Sequence, residues 1–534
     1  MENEEYIPQD LSEKRGKGKK KEGQGLRQKS IQNTFWSTGT TFASRVGGLI
    51  FSVIIARLLF PELFGIYTLA LTIILVIVTL ADSGINTTIA RFVSDSLKSS
   101  TKKSKADARA RFSYLFRLKI IISAIIAFIL FVLADFIALY IFSEPLLTLP
   151  LRIGAFYLIA ISIQGSLKSV FLAIQKLNYQ TYNEIINQIV RIVLVIILLG
   201  FYLTVEIVFI ALIMTTIITI LVFYFALYRE YPDLLDRDKS RMRREEKNRM
   251  LSFFGWSSIT IISLAFFTKI DTFMLGIFMP SEFIGYYTAI FSIVWSVFAL
   301  LSFSGALLPV FTQIRKKGLE HAFQEVLRYV FLISIPATVG LAFVIVPMIR
   351  VIYGLAYIPS EYIFSITLTA GILSFLVFES VLSSLYSVLF QSREKPRILA
   401  RVIVVATILN IFLNYIFITQ AIVINISYGI IGAALATFIS RYGKLAGLVY
   451  NARTKLKIRA FSSSSVILKP IFASLIMSIF LFISLIMFDL RIYWLALIIP
   501  LAVLIYFVSL WSVRGIGKDD INIARDVIKK IKLK

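Results

Sequence analysis

The chain of 534 residues has no cysteine, which excludes a disulfide framework, an iron–sulfur cluster and thiolate-bound zinc. Its single histidine, His321, lies in a basic stretch, so a catalytic imidazole or a histidine-ligated transition metal has little to draw on. No cofactor or metal is expected. Charge is also scarce, at 16% of residues against about 25% in soluble proteins, and it gathers in short clusters between long apolar runs, leaving no stretch for a large soluble domain. Apolar residues are plentiful: 58% of the chain, roughly the number that fourteen membrane spans of about 22 residues would consume.

The charge that remains is lopsided. Lys and Arg number 56 against 31 Asp and Glu, a net of +25, which in a soluble protein would point to nucleic acid. Its distribution points elsewhere. Residues 1–30, 91–119, 229–249, 314–328, 393–401, 451–469 and 514–534, with Lys176, hold about 46 of the basic residues, and the alternating connectors hold about three, Arg152, Arg350 and Arg491. That is the positive-inside pattern. Both termini and every basic loop are therefore expected in the cytoplasm, on a multi-pass protein of the cell membrane whose surplus charge meets anionic lipid headgroups, with no nucleic-acid partner. Residues 1–30, with the run GKGKKKEG, have no apolar block like the core of a cleavable signal and read as a disordered basic tail. Residues 514–534 set Ile521, Val527, Ile528 and Ile531 among lysines, which suits either an amphipathic helix on the cytoplasmic face or a solvated tail.

Apolar runs place fourteen spans near 32–58, 66–90, 114–142, 151–175, 182–203, 206–228, 251–279, 284–313, 327–353, 361–391, 398–420, 428–450, 466–488 and 492–513. An even count returns the C-terminus to the side of the N-terminus, in agreement with the charges. Shifting the chain by 220 residues lays Trp36 on Trp256, Ser37 on Ser257, Thr40 on Thr260, Glu62 on Glu282, Gly65 on Gly285, Tyr67 on Tyr287 and Thr68 on Thr288. A weaker echo at 218 lays Ser166, Leu167, Ser169 and Val170 on Ser384, Leu385, Ser387 and Val388. Six spans separate the copies, so each copy enters the membrane in the same direction and the repeat axis lies along the membrane normal. The organisation expected is a tail at 1–30, an N-lobe at 31–228, a basic linker at 229–250, a C-lobe at 251–450, two appended spans at 451–513 and a basic tail at 514–534.

The repeats carry a recognisable text: ARLLFPELFGIYTLA at 56–70, DSGINTTIARFVS at 82–94, KIDTFMLGIFM with SEFIGYYTA at 269–289, and YGIIGAALAT at 428–437. These blocks resemble the polysaccharide flippases (Wzx-type polysaccharide biosynthesis transporters) of the superfamily that includes the MATE multidrug exporters and the lipid II flippases. The resemblance covers most of the first twelve spans and contains no catalytic signature. It implies an all-α, MATE-like fold in which two six-helix lobes flank a central cavity that opens alternately to either side. It implies a non-enzymatic function, the movement of a lipid-linked oligosaccharide (on a polyprenyl or dolichyl phosphate or pyrophosphate) across the membrane; a monomer is the expected working unit. It does not specify the sugar. A drug or cation exporter and a lipid II-type flippase are the alternatives, and a glycan polymerase or ligase is a more distant one.

Ionisable side chains inside spans are costly unless they face protein or water, so each is a candidate for function. In the first span Ser37, Thr41, Ser44, Arg45, Gly48 and Ser52 share one face. Gln164, Lys168 and Gln175 align in the fourth span, Glu184, Asn187, Gln188 and Arg191 in the fifth, and Thr437, Arg441 and Lys444 in the twelfth. A cavity flanked by Arg45, Lys168, Arg191 and Arg441 would suit a phosphate or pyrophosphate, because guanidinium forks bind its oxygens in pairs. Other roles compete: Glu184 can neutralise Arg191, Lys444 can snorkel to headgroups, and Arg57 and Arg91 can anchor span ends. Among the acids, Asp82 and Asp135 lie in spans too, while Asp271 and Glu379 are the candidates for coupling to a proton or sodium ion; a static salt bridge is the competing role. Asp271 and Lys269 sit on different sides of their helix and cannot simply pair. Glu379, with Ser383 and Ser387, is expected to face Asn410 and Asn414.

Overall fold

The computed structural model describes residues 9–82, 84–97, 101–234, 243–302, 304–459, 465–487 and 492–515. Among them there is no strand. The helices are α1 (Gln9–Asp82), α2 (Ile85–Ser96), α3 (Lys102–Phe136), α4 (Thr148–Ala173), α5 (Leu177–Leu199), α6 (Val205–Glu230), α7 (Arg244–Phe278), α8 (Ser281–Leu301), α9 (Ser304–Gln313), α10 (Lys316–Ile352), α11 (Ile363–Ser374), α12 (Leu376–Ser392), α13 (Pro396–Ile424), α14 (Gly429–Asn451), α15 (Ser465–Met487) and α16 (Ile492–Ser512). Twelve stretches are long and apolar enough to cross a membrane. One of them, Trp36–Ser96, is 61 residues long. It holds two crossings, because the helical backbone of α1 breaks at Phe60, just before Pro61. The helix α14 is not among the twelve; its 23 residues are long enough, but Arg441 and Lys444 lower its apolarity. With these two adjustments the helices match the fourteen spans read from the sequence.

Which face of each helix turns outward follows from what a bilayer rewards. On α3, Ile121, Ile125, Phe128 and Val132 are exposed, while Ala127, Leu130 and Ala134 are buried against the bundle. Lipid solvates bulky apolar side chains, and small residues let helices approach one another. The basic stretch before residue 30 was expected to be unstructured, yet α1 is already helical from Gln9. Its Lys, Arg, Gln and Glu are good helix formers, and no proline interrupts them before Pro61. Residues 516–534, including the proposed amphipathic tail, lie outside the described residues, as do the side chains of Trp256, Ser257 and Thr260.

The break at Phe60 reverses the chain. Thr40 on the first arm of α1 bonds Thr181 of α5 at 2.8 Å. On the second arm Ile74 lies against Gly154 of α4, and beyond it Asn86 of α2 lies against Gly165. Because α4 and α5 are antiparallel neighbours, with Gln180 Nε2 donating to the Lys168 carbonyl at 2.7 Å, the two arms of α1 also run antiparallel. The C-terminal half makes the same reversal between Phe278, where α7 ends, and Ser281, where α8 begins. Phe60 and Pro280 are 220 positions apart.

The two reversals touch. A β-carbon on Gly65 would stand 1.7 Å from the Ser281 carbonyl oxygen, and one on Gly285 would stand 2.1 Å from the Pro61 carbonyl oxygen. Under the 220-residue shift Pro61 becomes Ser281 and Gly65 becomes Gly285, so each contact is the image of the other. That reciprocity is the mark of a two-fold axis. From this crossing the second arm of α1 and α8 both run toward the end carrying the basic loops, so the repeat is direct and not inverted. Around the crossing, Arg57 Nε and Nη2 donate to the carbonyls of Ile352 and Val351 at 2.6 and 2.5 Å. Tyr357 donates to the Ala56 carbonyl at 2.9 Å, and Ser281 donates to Glu144 at 2.6 Å. Arg57 thus caps the last turn of α10, although its place at a span end suggested a headgroup anchor; its reach is enough to cross between lobes. The halves are closed against each other at this end.

Adding a methyl at Gly65 forces backbone apart from backbone. Gly65→Ala is expected to destabilise this closed arrangement by about 1–3 kcal/mol, whereas Gly371→Ala, where a β-carbon meets nothing within 4 Å, should be neutral or mildly stabilising. Thermal unfolding of the two variants in the same detergent checks this; equal losses would remove the crossing from its role.

Candidate substrate-binding site

Beneath the crossing, toward the basic end, the halves part around a cavity of about 650 Å³. Arg45 lies fifteen residues before Phe60, about 22 Å along the helix at 1.5 Å per residue. The wall combines Arg45, Ser44, Gly48 and Ser52 of α1, Lys168 of α4, Glu184 of α5, Lys269 and Asp271 of α7, Tyr287, Phe291 and Trp295 of α8, and Arg441 of α14. Three of the four cations expected to bind substrate, Arg45, Lys168 and Arg441, are therefore brought to one cavity from separate helices. Ten of its lining residues are Ser or Thr, so the wall is also rich in hydroxyls.

Each cation is held differently. Arg45 is exposed to the cavity, 5.6 Å from the centroid of the Trp295 ring, with no acidic partner among the described residues. Arg441 comes from the other lobe to the same ring at 5.7 Å. It is only 3% exposed, lies also over Phe267 and Phe291, and has a buried Nη2 without a hydrogen-bond partner. Lys168 Nζ stands 3.8 Å from Glu184. Glu184 accepts from Gln188 at 2.7 Å, and Gln188 accepts in turn from Arg191.

Arg191 is the exception. Its guanidinium is 4.0 Å from the centroid of the Phe51 ring, with Tyr67 and Tyr157 as further neighbours, and it does not line the cavity. Helical spacing puts it correctly on the face of Glu184, but it sits two turns farther from the basic end, where Phe51 of α1 closes over it.

The acids also separate. Glu379 is fully buried, 3.0 Å from Lys444 Nζ and 4.0 Å from Arg441 Nη1, and it accepts from Ser380 at 3.3 Å and from Ser383. Lys444 therefore does not snorkel to headgroups; the short span to Glu379 on α12 offers it a counter-charge inside the protein. Nor does Glu379 face the two asparagines. Asn414 donates to Asp271 at 3.1 Å, and Asn410 donates to Ser440 at 2.8 Å, because α13 turns this stripe toward α7 and α14. Asp271 is 4% exposed, has Thr437 and Asn410 beside it, and borders three buried oxygens without hydrogen-bond partners: Asn410 Oδ1, Asn414 Oδ1 and Thr437 Oγ1. Asp82 pairs with Lys119 at 2.8 Å outside the cavity, and Asp135 with Arg152 at 2.6 Å. Lys269 lines the cavity with no ionic partner among the described residues. Its spacing from Asp271 showed that one of the two needed another partner, and that was a signal for a site residue missed from the sequence.

A bundle of this kind, with halves related by a direct repeat and closed over a central cavity, is a MATE-like transporter fold. The comparisons with known structures agree. A lipid II flippase MurJ in an inward closed conformation superposes with a TM-score of 0.66 at 19% identity, over 92% of this chain and 99% of that one. An inward-facing multidrug-resistance MATE transporter superposes at 0.63 and 16% identity, over 78% and 95%. The chain belongs to the family described as polysaccharide biosynthesis protein, which it matches over residues 30–315. A probable low-salt glycan biosynthesis flippase, Agl15 of Haloferax volcanii, is 25% identical over 221 residues, 39% of this chain, and that match spans 43% of the relative's length.

Glu379 holds two cations in a dry place, so removing its charge leaves them opposed. Glu379→Gln is expected to cost about 3–5 kcal/mol of stability, and adding Lys444→Met should restore much of it. Chemical denaturation of the single and double variants distinguishes this from a carboxylate needed only for ion movement, for which the single variant would fold as well as the parent.

Proposed function

We propose that the protein carries a polyprenyl- or dolichyl-(pyro)phosphate-linked oligosaccharide from the cytoplasmic to the external leaflet by alternating access, for assembly of a surface glycan. The observation that carries this reading is the cavity itself: cations of both lobes, Arg45 and Arg441, converge on one indole beneath a contact that shuts the opposite end. A phosphate group entering from the basic side supplies an anion for Arg45 and an acceptor for the unpartnered Nη2 of Arg441, and the hydroxyl-rich wall offers hydrogen bonds to sugar. Membership of the polysaccharide biosynthesis family and the likeness to glycan and lipid II flippases support the same assignment. The cationic lining argues against a cationic drug as cargo. Transport needs no bond to be made or broken in the chain, so the protein acts here as a carrier and not an enzyme. The clustering of basic loops supports cytoplasmic termini in the cell membrane, with anionic lipids at that face.

Asp271 is the better of the two candidates for ion coupling. A carboxylate beside unpaired amide and hydroxyl oxygens offers oxygen ligands for a sodium ion or an acceptor for a proton, whereas Glu379 is already committed to Lys444. Asp271→Asn is expected to abolish the dependence of transport on a proton or sodium gradient in proteoliposomes while the protein still folds. Unchanged ion dependence in that variant would return Asp271 to a structural role.

The direct test of function is binding and flipping of a lipid-linked glycan. Arg45→Gln should weaken binding by about 1.5–3 kcal/mol, the worth of a charge-assisted hydrogen bond, and Arg45→Lys should recover it poorly if the contact is bidentate. Binding of a neutral glycolipid should be unaffected. Full affinity in a well-folded Gln variant would end the phosphate reading.

A further inference from the structure

The two lobes differ at one place where the repeat should make them alike. The tenth span is interrupted: α11 ends at Ser374, α12 begins at Leu376, and between them the Phe375 amide turns back to the Ile372 carbonyl at 3.2 Å. Carried back along the same helix, the 218-residue shift makes Tyr157 the image of Phe375, and α4 runs through it unbroken from Thr148 to Ala173. Gly371, one turn before the interruption, has Ile153 as its image, a side chain packed on the main apolar cluster. A β-carbon on Gly371 would meet nothing within 4 Å. The C-lobe thus has an interrupted helix and open space where the N-lobe has a whole helix and an isoleucine.

That space is a groove of about 540 Å³ lined by Ala342 of α10, Phe364, Leu368 and Gly371 of α11, and Leu435 and Phe438 of α14. It shares no residue with the central cavity. Phe364, Leu368, Phe375 and Leu435 are exposed, so the groove is open at the surface of the lobe. Because α10 and α11 belong to stretches apolar enough to cross a membrane, the fluid at that surface is hydrocarbon. The lining has one hydroxyl, Thr367, and no charged residue, which suits a hydrocarbon chain and offers nothing to a headgroup or a sugar. Length agrees with chemistry. The helix α11 starts beside the crossing, where Tyr362 meets Phe283 with ring centroids 5.1 Å apart. From Phe364 to Phe375 the groove descends about 16 Å at 1.5 Å per residue, half of a hydrocarbon core about 30 Å thick. That is the depth of one leaflet.

Aromatic side chains finish the far end. Phe375 meets Phe438 edge to face at 6.4 Å, and Phe438 lies 4.5 Å from the ring of Tyr442. The Phe375 carbonyl is reached loosely by the Glu379 amide at 3.4 Å, and Tyr442 completes it by donating at 3.0 Å, since hydrocarbon can offer backbone no partner. A groove left empty beside this turn would lose dispersion contacts along its whole length. We infer that one hydrocarbon chain of a membrane phospholipid, from the leaflet at the closed end, occupies this groove as a fixed part of the C-lobe. The chain takes the place that Ile153 fills in the N-lobe and packs against the interruption, whose next turn carries Glu379. The lipid chain of a cargo held in the cavity is a poorer fit, because α14 separates the two spaces, with Arg441 lining one and Leu435 and Phe438 the other.

The test uses the full chain in nanodiscs made with a phospholipid that carries a photoreactive diazirine near the middle of one chain, and maps the labelled residues by mass spectrometry. Labelling of residues 364–375 and 435–438 is expected to exceed that of the lipid-facing stretch 121–132 of α3 by about tenfold. It should also survive a brief exchange into unlabelled lipid, before irradiation, that removes the α3 signal. Gly371→Leu, which supplies a side chain the size of Ile153, and Gly371→Trp should each abolish the groove labelling and leave that of α3 unchanged, while Gly371→Ala, too small to fill the space, retains it. Groove labelling no stronger than that of α3 and lost with it on exchange means ordinary boundary lipid and overturns the site, whether or not the filled variants fold. Groove labelling that persists in a folded Gly371→Leu or Gly371→Trp variant overturns it as well. Preferential labelling by a diazirine-bearing polyprenyl phosphate assigns the groove to the cargo's chain, and cross-links between two copies through residues 364–375 assign it to a dimer contact; either result ends the phospholipid assignment.

Discussion

An ionised side chain inside a bilayer persists only where a counter-charge, an aromatic face or water reaches it, and most of this architecture can be read as the answer to that demand. Where a counter-charge is at hand the charges become structural: Asp82 with Lys119, and Glu379 with Lys444. Where it is not, the helices open into a polar cavity and leave the cation facing it, as with Arg45 and Lys269. The same constraint explains why Arg191, deprived of a carboxylate, lies against the ring of Phe51 and bonds through Gln188 to Glu184. Charges that are matched hold helices together, and charges that are not mark the place where an anion would be welcome.

The closed end rests on a different economy, that of size. Backbone meets backbone at Gly65 and Gly285 because neither carries a side chain, and polar caps from Arg57, Tyr357 and Ser281 surround that crossing. Apolar surface is buried there too: Phe64 meets Tyr357, Phe142 meets Phe273 and Leu69 lies against Gly276, within one buried apolar cluster that spans both lobes. Alternating access requires that opening this end be offset by contacts made at the other.

Much of this was legible beforehand because membrane helices obey strong rules. Length and apolarity gave the crossings, and the 220-residue shift gave the direct repeat, though not the contact in which Pro61 and Ser281 exchange places. The shared face of Ser44, Arg45, Gly48 and Ser52 was readable from helical spacing and does line the cavity. What spacing cannot supply is the identity of the neighbour across a helix interface. Arg191 shares a face with Glu184, yet Phe51, from a span more than a hundred residues earlier, decides that it stays out of the cavity. Asn410 and Asn414 were matched to the wrong carboxylate for the same reason: the rotation of α13 is set by its packing on α7 and α14, and no pattern within α13 records it.

The separation of Glu379 from Asp271 has a consequence for how the two lobes can communicate. Arg441 touches both settings, 4.0 Å from Glu379 on one side and over Trp295 on the other, and Thr437, one turn earlier on α14, stands beside Asp271. A change of charge at Asp271 is therefore felt within one helical turn by the residue that meets the N-lobe's Arg45 across the indole. Under the proposed function, an anion at the arginines and a cation at Asp271 would lower the cost of each other, since each would supply the charge the other repels or lacks, and linkage would make that assistance mutual. Such coupling between cargo and ion would require no long pathway, only the length of α14 between Thr437 and Arg441.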